Sequence, residues 1–351
     1  MDVKRYPGFA VRLTVYTFGH FFFEFAANYF IISLIAPQIT SYPQMITVLL
    51  LYNICDYGLQ VLIGLLDDVV HRNHFFAAFG AALFIIGYFC SPIPLLMAPV
   101  VGTGAAFIHV PLGRQVLLDR PDSYAALAPF VASGSFGVFL GRKIGLIHVE
   151  MAGGILALAL GMMFLLLAVG TGERTGNGDI ESSRRNQQLV LTRPVMTSIW
   201  ILLMAVTIQS FTFAVSVFSW DNGFLAWAAA VAILFAKGIG GWFADYFGYL
   251  RTVMVSGVIA LISAGFAPSY SVLGIVFLFA FNVPSATIIF RLARRLSPAV
   301  GTGFGLYKFF HLVGFLPTLF WGTGKPVSPL TLIMLTVLVG ALMLAEERIK
   351  E

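Results

Sequence analysis

GLLDDVVHR at residues 64–72 and GWFADYFGYLR at residues 241–251 are two versions of one pattern, 177 positions apart. Each closes a long apolar run with a glycine, then an acid (Asp68 or Asp245), then a base (Arg72 or Arg251). Two more matches follow in the same order. HVP at 109–111 is echoed by NVP at 282–284, and GSFGVFLG at 134–141 by GTGFGLYK at 301–308. Three matches in one order point to a duplicated unit. Six apolar runs separate equivalent points, so both copies share one orientation, as parallel repeats about an axis along a membrane normal do.

The remaining composition agrees. Of the 351 residues, 59% are hydrophobic and 11% charged, with mean hydropathy +0.90; soluble domains run near 45–50% and 25%. The chain reads as an all-α integral membrane protein. Twelve spans are expected at 9–35, 44–66, 74–92, 94–115, 124–146, 151–170, 196–219, 223–246, 251–268, 271–290, 301–321 and 328–345, each near the roughly 20 residues a bilayer requires. The polar stretch TGERTGNGDIESSRRNQQLVLTRPV at 171–195 reads as a cytoplasmic linker between six-helix bundles at 1–170 and 196–351. The third, sixth, ninth and twelfth spans carry no charged residue inside them, whereas most others hold an ionisable group or amide. Such a group costs about 2.5–3.5 kcal/mol at mid-membrane and normally faces protein or a watery cavity. The charge-free spans are therefore expected at the lipid-facing periphery.

Lys4, Arg5, Arg12, Arg72, Arg114, Arg120, Arg174, Arg184, Arg185, Arg193, Arg251, Arg291, Arg294, Arg295, Arg348 and Lys350, 16 of the 21 basic residues, fall on one side if the N-terminus is cytoplasmic. The positive-inside rule then puts both termini in the cytoplasm. The pI near 9.2 thus reports topology, and no nucleic-acid partner is expected. Cys55 and Cys90 lie in or beside apolar runs and read as packing residues. The first apolar run is too long for a signal-peptide core, and a bacterial inner membrane is the expected address.

The two glycine–acid–base copies resemble the loop signature of the major facilitator superfamily, found between its second and third spans and again in its second half. The first copy has His71 where that signature has a second glycine, and the second copy delays its base to Arg251. With the repeat and span count the resemblance covers nearly the whole chain. Span one, GHFFFEFAANYF, with FIHVPLGRQVLL, is similar to short bacterial members of that superfamily. The resemblance implies two pseudo-symmetric six-helix bundles, a monomeric transporter, and Asp68, Arg72, Asp245 and Arg251 as gating contacts that latch the halves.

Within the spans, His20 and Glu24 stand four apart on one helical face. Glu24 lies about 18 Å from Arg12 at about 1.5 Å per residue, near the midplane. A carboxylate there can change charge as access alternates. Asn53, Asp56 and Gln60 share a face of span two, with Asp56 a second candidate proton carrier. Lys237 in span eight, Lys308 and His311 in span eleven, and His109 and Asn282 beside the prolines of spans four and ten complete the candidate substrate and coupling set. Gln209 is a weaker candidate. Arg142 and Lys143 are expected to snorkel to outer headgroups.

Other chemistry finds no motif. His71 and His74 lack a third ligand, so no metal site is expected; no phosphate loop, HExxH or nucleophile elbow occurs, so neither a cofactor nor an enzyme is expected. Two acids facing two lysines and three histidines give a neutral-to-positive centre. The reading is a proton-coupled carrier of a small anionic or zwitterionic solute, embedded in membrane lipid, that works by alternating access. Protonation of Glu24 would release a base, Lys237 or Lys308, to hold the anion. A drug or lipid exporter, a membrane-embedded enzyme and a non-transporting receptor are the rivals.

Overall fold

A computed structural model describes residues 8–147, 150–171, 189–320 and 327–349. Twelve helical spans run in chain order: α1 (Phe9–Gln38), α2 (Tyr42–Val70), α3 (Asn73–Phe89), α4 (Pro94–Asp119), α5 (Tyr124–Ile147), α6 (Ala152–Thr171), α7 (Arg193–Val215), α8 (Gly223–Phe247), α9 (Tyr249–Ala264), α10 (Ser271–Arg295), α11 (Val300–Phe320) and α12 (Pro329–Glu347). No strand occurs among the described residues. The linker expected at 171–195 lies largely outside them.

Local chemistry sets several ends. Ser41, Thr192 and Ser328 cap α2, α7 and α12 through their side-chain oxygens, each with a proline in the first turn, where the missing N–H would have no helical partner anyway. α2 and α10 run past the expected inner ends, to Val70 and Arg295. Asp68 therefore sits in the last turn of α2, since nothing between Gly64 and Val70 breaks the helix, and Asp245 sits in the last turn of α8. α2 stops at His71, which takes left-handed backbone angles, φ 54° and ψ 47°.

The chain forms two compact units. The first comprises Met1–Pro121, Ser133–Leu189 and Leu296–Gly305, the second Asp122–Ala132, Val190–Arg295 and Leu306–Glu351. In the first, α4 packs against α1, α2 and α3, and α3 against α6. Glycines bring α5 onto α1: a Cβ on Gly137 or Gly141 would collide with the carbonyl oxygen of Phe21 or Phe25. In the second, α12 packs against α7 and α9, and α10 against α8 and α9. The charge-free α6 and α12 have few buried positions, but so do α2 and α8. Low burial therefore does not follow charge content alone.

Candidate functional site

α1, α2 and α4 assemble the polar centre of the first unit. His20 and Glu24 share the buried face of α1, with His20 Nε2 4.0 Å from Glu24 Oε1. His109 of α4 reaches the same oxygen through Nε2 at 2.8 Å and faces Asp56 Oδ1 through Nδ1 at 3.3 Å. Gln60 donates to that Asp56 oxygen at 3.2 Å, and the His20 and His109 rings meet edge-on, centroids 4.6 Å apart. All five side chains are at most 4% exposed. One imidazole thus bridges two buried carboxylates from different helices.

Backbone irregularity aims one of these acids. α2 widens into a π-helical turn over Ile54–Gly58, which contains Asp56; the extra residue shifts the face presented after it, as such turns often do at functional sites. Asn53, before the turn, bonds to the Leu49 carbonyl of its own helix at 2.7 Å. His20 is seated from outside α1 by Gly134 of α5, where a Cβ would run into the imidazole. Toward the chain's expected outer side, Asn28 donates to the Glu24 carbonyl at 3.0 Å and accepts from Arg142 Nε at 2.9 Å. Lys143 lies over the Phe139 ring at 5.6 Å.

The second unit carries the basic candidates. Lys237 and Lys308 both lie within electrostatic reach of half-buried His311, whose ring stacks 6.2 Å from that of Tyr307. Asn282, the counterpart of His109, donates to the Leu278 carbonyl of its own helix at 2.8 Å. α10 breaks at Val283–Pro284, and Gln209 donates to the Phe281 carbonyl at 3.1 Å, supplying a donor where proline interrupts the ladder.

The signature acids cap helices. Asp68 accepts from Gly301 N at 2.9 Å, Thr302 N at 2.7 Å and Thr302 Oγ1 at 2.8 Å, at the start of α11. Asp245 accepts from Ser123 Oγ at 2.7 Å, Tyr124 N at 2.8 Å and Ala125 N at 3.0 Å, at the start of α5. Carboxylates favour these positions because the first-turn N–H groups lack helical acceptors and carry the positive end of the helix dipole. The expected bases, Arg72 and Arg251, are exposed. Arg114, buried in α4, takes the place at Asp68: its Nε donates at 2.8 Å, while its terminal nitrogens donate to Asn73 Oδ1 and His71 Nδ1, each at 2.8 Å.

Sequence reasoning counted Arg114 only as a topology charge. It also missed Glu346, fully buried at the end of α12, which binds Arg291 Nε at 2.6 Å, Arg295 at 3.2 Å and Ser198 Oγ at 2.6 Å. Neither has a local signal, since helix-end charges read alike until burial sorts them.

No protein-family model matches the chain, and no curated protein matches it either. Solved structures do. The transporter FucP in its outward conformation aligns with TM-score 0.68 at 13% identity, over 98% of this chain and all of the other. The proton:xylose symporter XylE aligns at 0.68 and 13%, over 96% and 94%. The chain has the major facilitator superfamily fold. The human organic anion transporter MFSD10 (TETRAN) shares that fold at TM-score 0.70 and 14% identity, over 96% of this chain and all of the other. At 13–14% identity the likeness establishes the major facilitator fold.

Proposed function

We propose that this major facilitator chain is a secondary transporter that moves a small anionic or zwitterionic solute by alternating access, coupled to protons through Glu24. The observation that carries this reading is the buried bridge from Glu24 through His109 to Asp56. Two carboxylates this deep are costly as a doubly charged pair, so a proton shared among the three groups is the least costly way to hold them. Loading that proton changes the charge of α1, α2 and α4 together, and the solute anion is taken by Lys237, Lys308 and His311. FucP and XylE are described as proton symporters of fucose and xylose, and TETRAN as an organic anion transporter, which is consistent with a small solute and a coupling proton. The protein is read as a monomer in a bacterial inner membrane, with cytoplasmic termini. Release of the Asp68 and Asp245 caps accompanies alternation.

Proteoliposomes loaded with purified protein test this against a panel of radiolabelled small anions and sugars. A pH gradient should drive accumulation of an anion, and Glu24→Gln should abolish that drive while leaving exchange of internal for external solute. Gradient-driven uptake unchanged in Glu24→Gln would sink the coupling role. Loss of anion binding in Lys237→Gln and Lys308→Gln, with melting temperature preserved, would support the substrate assignment.

A further inference from the structure

The geometry points to His20, Glu24 and His109 as a binding site for a divalent first-row transition-metal cation of the zinc or cobalt type. Each of the three side chains offers one ligand atom, all within 4.8 Å of one another, and all three are buried. Zinc binds imidazole nitrogen and carboxylate oxygen at about 2.0–2.2 Å, which spaces neighbouring ligands about 3–4 Å apart. The Glu24 oxygen already stands 2.8 Å and 4.0 Å from the two imidazole nitrogens. Two imidazoles and one carboxylate suit zinc and its neighbours; magnesium and calcium favour all-oxygen sets, and cuprous ion favours thiolate or thioether.

A second, independent feature supports the site. Metal-bound histidines usually give their other ring nitrogen to a carboxylate, which fixes the tautomer and aims the lone pair. His109 is placed for this: Nδ1 lies 3.3 Å from Asp56 Oδ1, close enough for a small ring rotation to complete the contact, and Nε2 is on the Glu24 side. Gln60 in turn holds Asp56 at 3.2 Å. His20 is fixed by a different device, the Gly134 surface flush against its ring. A cation would replace the direct Glu24–His109 hydrogen bond and lie between α1 and α4. Spacing along the chain cannot announce such a site, because Glu24 and His109 stand 85 positions apart. The proposal uses residues of the coupling reading but does not depend on it.

The test is Co2+ alone, titrated into the purified full-length protein in detergent after EDTA treatment. Saturation at one equivalent, visible d–d bands and displacement by Zn2+ are expected. His20→Gln and His109→Gln should each weaken binding at least tenfold, and Asp56→Asn, which removes no ligand, about 10–100-fold. His74→Gln should leave the titration unchanged. Absence of cobalt bands in monodisperse wild-type protein, or bands that persist in both histidine variants, overturns the site. If the histidine variants fail to fold, Asp56→Asn decides: unchanged affinity overturns the proposal, and a weakened one supports it. Gradient-driven uptake measured in EDTA reports on proton coupling alone, so the two readings fail separately.

Discussion

α4 and α10 carry the same motif, HVP and NVP, and use it for opposite ends. In α4 the helix continues through Pro111, and His109 sets its ring nitrogens 2.8 Å and 3.3 Å from carboxylates of α1 and α2. In α10 the helix breaks, Asn282 turns back to its own backbone, and Gln209 attends to the Phe281 carbonyl. One copy of the repeat has become an ionisable centre and the other a structural joint. The signature acids diverge likewise. Asp68 caps a helix and also neutralises buried Arg114, whereas Asp245 is an exposed cap with no ion pair among the described residues. The corresponding stretch of α10 sends Arg291 to Glu346 and Glu347 and lays it over Tyr249, 4.1 Å from the ring centre. The two stretches match in sequence, yet the candidate acids Glu24 and Asp56 lie in the first unit and the candidate lysines Lys237 and Lys308 in the second.

Removing Asp68 should have the largest effect. Asp68→Ala leaves a buried arginine without its carboxylate, a change that costs about 3–5 kcal/mol when an ion pair is broken from one side. Asp245→Ala loses only an exposed cap, about 1 kcal/mol. Denaturant titration in mild detergent measures both, and equal losses would erase the distinction between the two acids. Next comes packing. Gly137→Ala forces a methyl into the Phe21 carbonyl and should cost about 1–3 kcal/mol, with the α1 side chains displaced and coupling weakened in proportion.

Exchanging the motif residues bears on the centre itself. His109→Asn gives α4 the side chain of α10 and should abolish gradient-driven uptake, because asparagine cannot carry a proton between Glu24 and Asp56. Asn282→Leu should cost about 1 kcal/mol or less, the usual worth of one hydrogen bond, and leave coupling intact. If Asn282→Leu uncouples transport as fully as His109→Asn, the joint is part of the proton path after all.

The spans and the repeat were legible because hydrophobic runs and duplicated motifs are local properties of the chain. His20 and Glu24 were legible as a pair for the same reason, by their spacing of four. The bridge from Glu24 through His109 to Asp56 was not, since how α2 presents Asp56 depends on a π-helical turn at Ile54–Gly58 and how closely α5 approaches α1 depends on its glycines. His109, which contacts Glu24, stands 85 positions along the chain, a separation that no local pattern announces. Arg114 and Glu346 were hidden among charges that all suit a helix end, and only burial singles them out.

The finest comparison is at the point where the two signature copies differ in sequence. Gly248, 177 positions after His71, has φ +88° and ψ 149°, a region essentially reserved for glycine, so Gly248→Ala should cost about 1–3 kcal/mol. His71 also has positive φ, 54°, where a side chain costs about 1–2 kcal/mol. It tolerates that because its Nδ1 accepts from Arg114 at 2.8 Å, and a hydrogen bond to a charged group is worth about 1.5–3 kcal/mol. His71→Gly removes the strain and the bond together, so the two contributions nearly cancel and stability should move by about 1 kcal/mol or less. His71→Ala keeps the strain and loses the bond, and should fall below His71→Gly by about 1–2 kcal/mol. If the two variants unfold together, the left-handed turn is unstrained and the histidine needs no compensation. A gap of the stated size identifies His71 as a side chain held in a glycine's place by Arg114.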